Sequence, residues 1–401
     1  MGNMKLSQRI NNTPSSPIRK LEAVARNAKA RGIKIYHLNI GQPDIKPPAI
    51  MINWLKKSTI NQIKYTESQG DRRLIGSLVK YYGRLGAADI DEDNIIITLG
   101  GSESILWSFL AVSEIGDEIL VFEPFYTNLR GYASMAGIKL AAVTCKIEDG
   151  FHLPPNQVIK SKLTGKTKAV YLCNPNNPTG TFYSPAEFKR LYQFCLANNL
   201  FLICDEAYRD FVYQKVESAT ALNFEKKSKS GQIIVVDSFS KRYSLCGLRV
   251  GFLVCRNKEL ISSVLKFGQA RLSAGDLDQQ IAARLDVVPG SYLKRVRQEY
   301  QSRRDIIDQG LKNIPGAIFK KPAGAFYFMV KLPVGDADRF CQWLLTDFHD
   351  HKETVMLTPA NGFYLTRGSG QEEVRLAYVL NKKDLKRAMI ILQKAVARWN
   401  R

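Results

Sequence analysis

Ile233-Ile234-Val235-Val236-Asp237-Ser238-Phe239-Ser240-Lys241-Arg242-Tyr243-Ser244-Leu245-Cys246-Gly247-Leu248-Arg249-Val250-Gly251 is the stretch from which the rest of the chain becomes readable. Its β-branched opening predicts a buried strand, which delivers a lysine flanked by hydroxyls at its carboxyl end. Eight residues later Arg249 lies in a turn bounded by Gly247 and Gly251. That arrangement sets an imine-forming amine beside an anion clamp.

Outward from this run, residues 95 to 255 alternate short apolar runs with longer mixed segments, the pattern of a parallel sheet with crossover helices. The expected strands are Asn94-Thr98, Glu118-Phe122, Lys139-Val143, Ala169-Cys173, Phe201-Cys204, Ile233-Asp237 and Gly251-Cys255. Beyond about residue 285 a basic helix is expected from Tyr292 to about Ile314. Strands follow at Ala325-Leu332 and Glu373-Val379, and then a closing helix from Lys383. The fold class expected is α/β, with a mostly parallel seven-stranded sheet in a large domain, 49–285. A small α+β domain combines 1–48 with 286–401.

The chain has 401 residues, 45% of them hydrophobic and 24% charged, as in a soluble globular protein. No apolar run approaches the roughly 20 residues that span a bilayer, so no membrane partner is expected. Seven scattered cysteines without a Cys-x-x-Cys pair suggest neither a disulfide framework nor a zinc knuckle, and a reducing, cytoplasmic setting fits them. The N-terminal twenty residues are basic and lack a signal-peptide core, reading as an arm that leads into the first helix. Lys and Arg exceed Asp and Glu by 58 to 37, a net charge of +21, but they are spread along the whole chain. No basic tract with interleaved aromatics is present, so nucleic acid is not the expected partner. No metal site is expected either. His349 and His351 read as a solvated segment, and Gly165-Lys166-Thr167 lacks the upstream glycine of a phosphate-binding loop.

The remaining motifs lie where open α/β sheets gather ligands, at the carboxyl ends of strands. Gly100-Gly101-Ser102, ahead of a helix from Glu103, offers N–H groups and a hydroxyl to a phosphate; it is equally the punctuation of a strand-to-helix turn. Arg249 and Ser238 would add donors. Asp205 ends an apolar strand, where an ionised carboxylate is costly unless paired; it would serve a pyridine nitrogen or act as a helix N-cap. Tyr208, three residues on, reads as a ring-oxygen contact or as core. Asn177 stands in a turn stiffened by Pro175 and Pro178, aimed with little entropic loss. Arg375, a lone arginine in an expected strand, reads by itself as a surface ion pair. A phosphorylated aldehyde cofactor needs an amine, a phosphate cradle, a partner for its ring nitrogen and a group that holds its ring. Each has a candidate here.

Taken together, Ser238-Phe239-Ser240-Lys241 with Arg249, Asn174 to Gly180, and Asp205 to Tyr208 resemble the class I/II aminotransferases, the fold-type-I pyridoxal-phosphate enzymes, in order and spacing. The likeness runs from about Asn39 to Tyr378. It implies pyridoxal 5'-phosphate as cofactor, with Lys241 forming the imine and shuttling a proton, Asp205 on the ring nitrogen, and Asn177 and Tyr208 on the ring oxygen. Gly101, Ser102, Ser238 and Arg249 are implied to hold the phosphate, with Gly100 and Ser240 beside them. Tyr126 is implied to stack on the ring, and Tyr65 to reach the phosphate of a neighbouring subunit in a homodimer. Arg375 and Gly41 are implied to line the substrate site with Asn177. The reaction implied is ping-pong transfer of an amino group from an L-amino acid to a 2-oxo acid.

Where some aspartate-using relatives carry a lysine after the paired glycines, this chain has Ser102. A clamp for a second carboxylate is therefore unassigned; Arg130, Arg271 and Arg367 are candidates. Two further readings stand beside amino transfer: another reaction of the same cofactor, such as β-elimination, and a non-catalytic cofactor-binding regulator. A serine acyl-transfer reading rests on Ser238-x-x-Lys241, Tyr126-x-Asn128 and Lys229-Ser230-Gly231, but these occur in the wrong order along the chain.

Overall fold

The computed structural model describes residues 5–14, 17, 19–214, 219–225 and 231–401. Thirteen strands run in chain order among these residues. They are β1 (Lys34–His37), β2 (Ile95–Thr98), β3 (Glu118–Glu123), β4 (Lys139–Thr144), β5 (Thr167–Cys173), β6 (Phe201–Asp205) and β7 (Ile233–Ser238). After them come β8 (Gly251–Cys255), β9 (Ile318–Phe319), β10 (Tyr327–Lys331), β11 (Glu353–Met356), β12 (Thr358–Pro359) and β13 (Glu373–Ala377).

Seven of them form one sheet in the order β2-β8-β7-β6-β5-β3-β4. Only β8 runs against its neighbours β2 and β7; the other pairings are parallel. The runs Ile95-Ile96-Ile97 and Ile233-Ile234-Val235-Val236 are buried along their whole length, as strands covered on both faces must be. All seven strands read from the sequence are present, within two residues at each end.

Helices Gly101–Val112, Pro185–Ala197 and Lys258–Arg271 pack on this sheet. The first starts two residues before the expected Glu103, because Gly100 at φ 80° turns directly into it. The helix at Pro185 is fixed at its start by a capping box: the Ser184 hydroxyl takes the Glu187 N–H, and the Glu187 carboxylate takes the Ser184 N–H.

The C-terminal third forms a mainly antiparallel sheet, β12-β13-β10-β9, while β1 pairs in parallel with β11. Helices Gly290–Lys312 and Lys382–Trp399 pack against each other beside it. The chain leaving β1 is then pinned, since Leu38 bonds to Met356 through its N–H and to the Ala377 N–H through its carbonyl. This lays Asn39 to Gln42 beside β13, facing the carboxyl ends of the large sheet. No helix among the described residues is long and apolar enough to cross a membrane.

Candidate active site

The site is a cleft of about 420 Å³ whose walls come from the ends of β5, β6 and β7, the helix at Gly101, the Ile40–Gln42 segment, and Tyr327 and Arg375 of β10 and β13. Register explains the convergence. Cys173 pairs with Asp205, Asp205 with Val236, and Ser238 with Gly251, so the loops after these strands emerge at one level.

Lys241 points its amine into the cleft, donating to the Gly41 carbonyl at 2.8 Å and lying 6.0 Å from the centre of the Tyr208 ring. Burial, reinforced by the nearby positive Arg375 and Arg249, lowers its pKa to about 8. Asp205 is buried, taking the Tyr171 hydroxyl at 2.7 Å and the Ala207 N–H at 3.0 Å. Burial raises its pKa in spite of these two donors, which marks a carboxylate still in need of a cation.

The phosphate-cradle candidates also come together. Gly101, Ser102, Ser238, Ser240 and Arg249 all line the cleft. Arg249 adopts φ 54° and, among the described residues, donates only to carbonyls, those of Cys246 at 3.0 Å and Leu99 at 3.5 Å. Gly100 lies behind this surface rather than on it, where a Cβ would stand 2.6 Å from an Arg249 nitrogen. Gly251 has the same importance from the other side, since its Cβ would meet the Gly100 carbonyl carbon at 2.3 Å and Gly101 N at 2.6 Å. The strand can approach the cradle only because both side chains are missing.

Arg375 is buried to 1% exposure, so the surface ion pair open to it from sequence is not what forms. It donates to Asn177 Oδ1 at 3.1 Å and to the Asn39 carbonyl at 2.7 Å, while its Nε has no partner among the described residues. Its guanidinium lies 4.6 Å from the centre of the Tyr327 ring. Tyr126 lines the cleft and accepts the Asn128 amide at 2.8 Å. Gly41 lines it as well, and any side chain there would strike the Tyr327 hydroxyl, 1.9 Å from the Cβ position.

Tyr65 does not join the site of its own chain; it is 81% exposed. Of the arginines considered for a second carboxylate, none reaches the cleft. Arg271 is paired with Glu103 at 2.7 Å, Arg130 bonds to the Tyr364 carbonyl, and Arg367 is exposed. Of the acyl-transfer motif, Lys229 and Ser230 lie outside the described residues.

Sequence reasoning missed Tyr327, whose hydroxyl bonds to that of Tyr208 at 2.8 Å, and the wall residues Asn128, Cys246, Arg19 and Glu22. Only Tyr327 carried a signal, a tyrosine at the start of an expected strand; the others reach the cleft through chain path alone. Sequence reasoning also missed a charged layer beneath the cleft. Arg242 holds Asp237 at 2.6 Å and Asp210 at 2.8 Å, and Arg209 pairs with Glu206 and lies 3.6 Å from Asp237. Each member of this layer lies within two residues of Asp205, Tyr208, Ser238 or Lys241.

The donor set fits a phosphorylated pyridine aldehyde. A depressed amine, a cationic phosphate cradle and a buried carboxylate that wants a cation are present around one cavity, and an arginine with a free edge remains for a carboxylate.

Comparison with known proteins gives the same direction. The pattern described as aminotransferase class I and II matches residues 33–392. A probable aspartate/prephenate aminotransferase of Aquifex aeolicus is 27% identical over 98% of both chains. The aspartate aminotransferase of Sulfolobus acidocaldarius is 30% identical over 90% of each. Among solved structures, the Thermotoga maritima aspartate aminotransferase superposes with a TM-score of 0.87 at 28% identity, covering 98% of this chain and all of that one. An alanine aminotransferase of Pyrococcus furiosus gives 0.86 at 27% identity, with the same coverage.

Proposed function

Since this chain belongs to the aminotransferase class I and II family, we propose that the cleft around Lys241 is where its pyridoxal-phosphate-dependent amino transfer takes place. The protein is an enzyme of nitrogenous-group transfer, and its family uses pyridoxal phosphate. One observation carries the assignment of the site. Lys241, Arg249 and Arg375 converge on a single cavity opposite Asp205, and their hydrogen bonds end on carbonyls and an amide.

Bound there, the cofactor would supply an electron sink for charge developing at the substrate α-carbon. Lys241 would hold its aldehyde carbon and then take and return the proton at the α-carbon, work suited to an amine whose pKa is about 8. Gly101, Ser102, Ser238 and Arg249 would hold the phosphate, with Gly100 and Ser240 supporting them. Asp205 would keep the ring nitrogen protonated, and Asn177 and Tyr208 would hold the ring oxygen. Tyr126 would cover the ring face. Arg375 would bind the substrate α-carboxylate through guanidinium N–H groups not used on Asn177 and Asn39, with Gly41 leaving room for the substrate.

The same proposal extends to the assembly. The exposure of Tyr65 supports its reaching a second subunit, hence a homodimer with shared sites. The division into 49–285 and 1–48 with 286–401, and a cytoplasmic setting, belong to this reading.

Borohydride reduction of the cofactor-loaded protein followed by peptide mass analysis tests it. A pyridoxyl adduct on Lys241 is expected. So is one equivalent of 2-oxo acid when an amino acid is added without acceptor; Lys241→Ala should lose both. Because the amine must shed its proton to react, recapture of the aldehyde by stripped protein should quicken about tenfold from pH 7 to pH 9 and then level off. An adduct on another lysine would refute the assignment.

A further inference from the structure

Resting on the reading above, we infer that Tyr171 is a positioning residue of the reaction: by donating its hydroxyl to Asp205 it keeps the proton of the cofactor's ring nitrogen on the ring rather than on the carboxylate. Asp205 lines the cleft, and Tyr171 does not. The tyrosine can act only through the carboxylate.

Its placement follows from the sheet. Cys173 of β5 pairs with Asp205 of β6, so Tyr171, two residues earlier on β5, puts its side chain on the face that carries Asp205. The phenol spans that offset. Its hydroxyl donates to Asp205 Oδ2 at 2.7 Å, while the Ala207 N–H donates to Oδ1 at 3.0 Å, so each carboxylate oxygen has a donor. Phe109 meets the Tyr171 ring edge to face, with 6.3 Å between centres. Phe109 belongs to helix Gly101–Val112, whose first residues, Gly101 and Ser102, line the cleft. One helix thus sets both the phosphate cradle and the ring of the tyrosine.

A pyridine nitrogen facing a carboxylate shares a proton with it, either as pyridinium and carboxylate or as two neutral groups. Burial penalises the charged pair, and it already raises the pKa of Asp205. Each hydrogen bond donated to the carboxylate lowers its proton affinity and tips the balance back toward the charged ring, the form that draws electrons from the substrate α-carbon. Tyr171 stays protonated for this task, since burial, reinforced by the Asp205 charge, pushes its phenol well above the usual range. Of the charged groups around Asp205, Asp237 opposes its ionisation and Lys241 favours it. Cys173 and Tyr208 beside it are held neutral by burial.

The test compares wild type with Tyr171→Phe, which keeps the ring against Phe109 and removes one oxygen. Magnetic resonance of an isotopically labelled ring nitrogen, in protein loaded with pyridoxal 5'-phosphate, reports where the proton lies. Losing a hydrogen bond to a charged group predicts a change of roughly 10- to 100-fold in the proton-sharing equilibrium, read as a resonance displaced toward the unprotonated position. The kcat of amino transfer should fall with it while KM holds. Loading both proteins with N-methylpyridoxal 5'-phosphate, whose ring charge is permanent, should close the gap between their rates. An unmoved nitrogen resonance, or a rate gap that persists with the methylated ring, would overturn the inference. A wild-type protein that takes up neither cofactor would instead overturn the functional reading. Titration of the labelled Asp205 carboxyl in the unloaded protein, expected to move to higher pH in Tyr171→Phe, would still judge the tyrosine.

Discussion

Two sets of arginines meet at this cleft, and they differ in what they hold. Arg209 and Arg242, beneath it, are buried among Glu206, Asp210 and Asp237. Arg249 and Arg375, on its walls, donate to carbonyls and an amide and form no ion pair among the described residues. A buried cation that has its anion is part of the fold, whereas the buried Arg375 and the solvent-exposed Arg249, left without one on the cleft wall, are available to a ligand.

The largest effect that would break this comparison is on stability. Arg242→Met leaves the fully buried Asp237 with the Ser238 N–H and, as its remaining cation, the more distant Arg209, and breaking a buried pair in this way costs about 3–5 kcal/mol. Thermal or denaturant unfolding should show the loss. A variant as stable as wild type would mean that the lower layer is no brace.

Arg375→Met should do the reverse. Its Asn39 carbonyl keeps the Thr358 hydroxyl at 3.1 Å, and Asn177 faces the cleft, so little is stranded and the unfolding midpoint should hardly move. Substrate binding loses a buried charge-assisted contact instead, about 2–5 kcal/mol in kcat/KM for any α-amino acid. A fall in stability with unchanged kcat/KM would exchange the roles of the two layers.

How much of this was legible follows the same line. The seven-stranded sheet could be read because its strands are unbroken apolar runs, and the loops at their ends carry Asn177, Asp205, Lys241 and Arg249 within short motifs. Arg242 and Arg209 were in view inside those motifs, yet their partners depend on which strands are neighbours, and local sequence does not encode strand order. Arg375 was legible only through resemblance, because a lone arginine in a strand does not state whether its face is wet or dry. Arg19 and Tyr327 lie more than two hundred and more than eighty residues from Lys241 and reach the cleft only through the path of the whole chain.

The smallest effect sharpens the comparison on the cleft side. Tyr327 stacks against Arg375 and shares a hydrogen bond with Tyr208, so it links the group proposed for the ring oxygen to the one proposed for the substrate. Tyr327→Phe keeps the ring and deletes that one bond, worth about 0.5–1.5 kcal/mol. Because the Arg375 contact is unchanged, KM for the amino acid should hold while kcat falls roughly two- to tenfold. The cofactor's absorption band should also shift, since Tyr208 would lose its partner. A rise in KM with kcat and spectrum intact would place Tyr327 with Arg375 alone, and the two tyrosines would then have to be treated as separate supports.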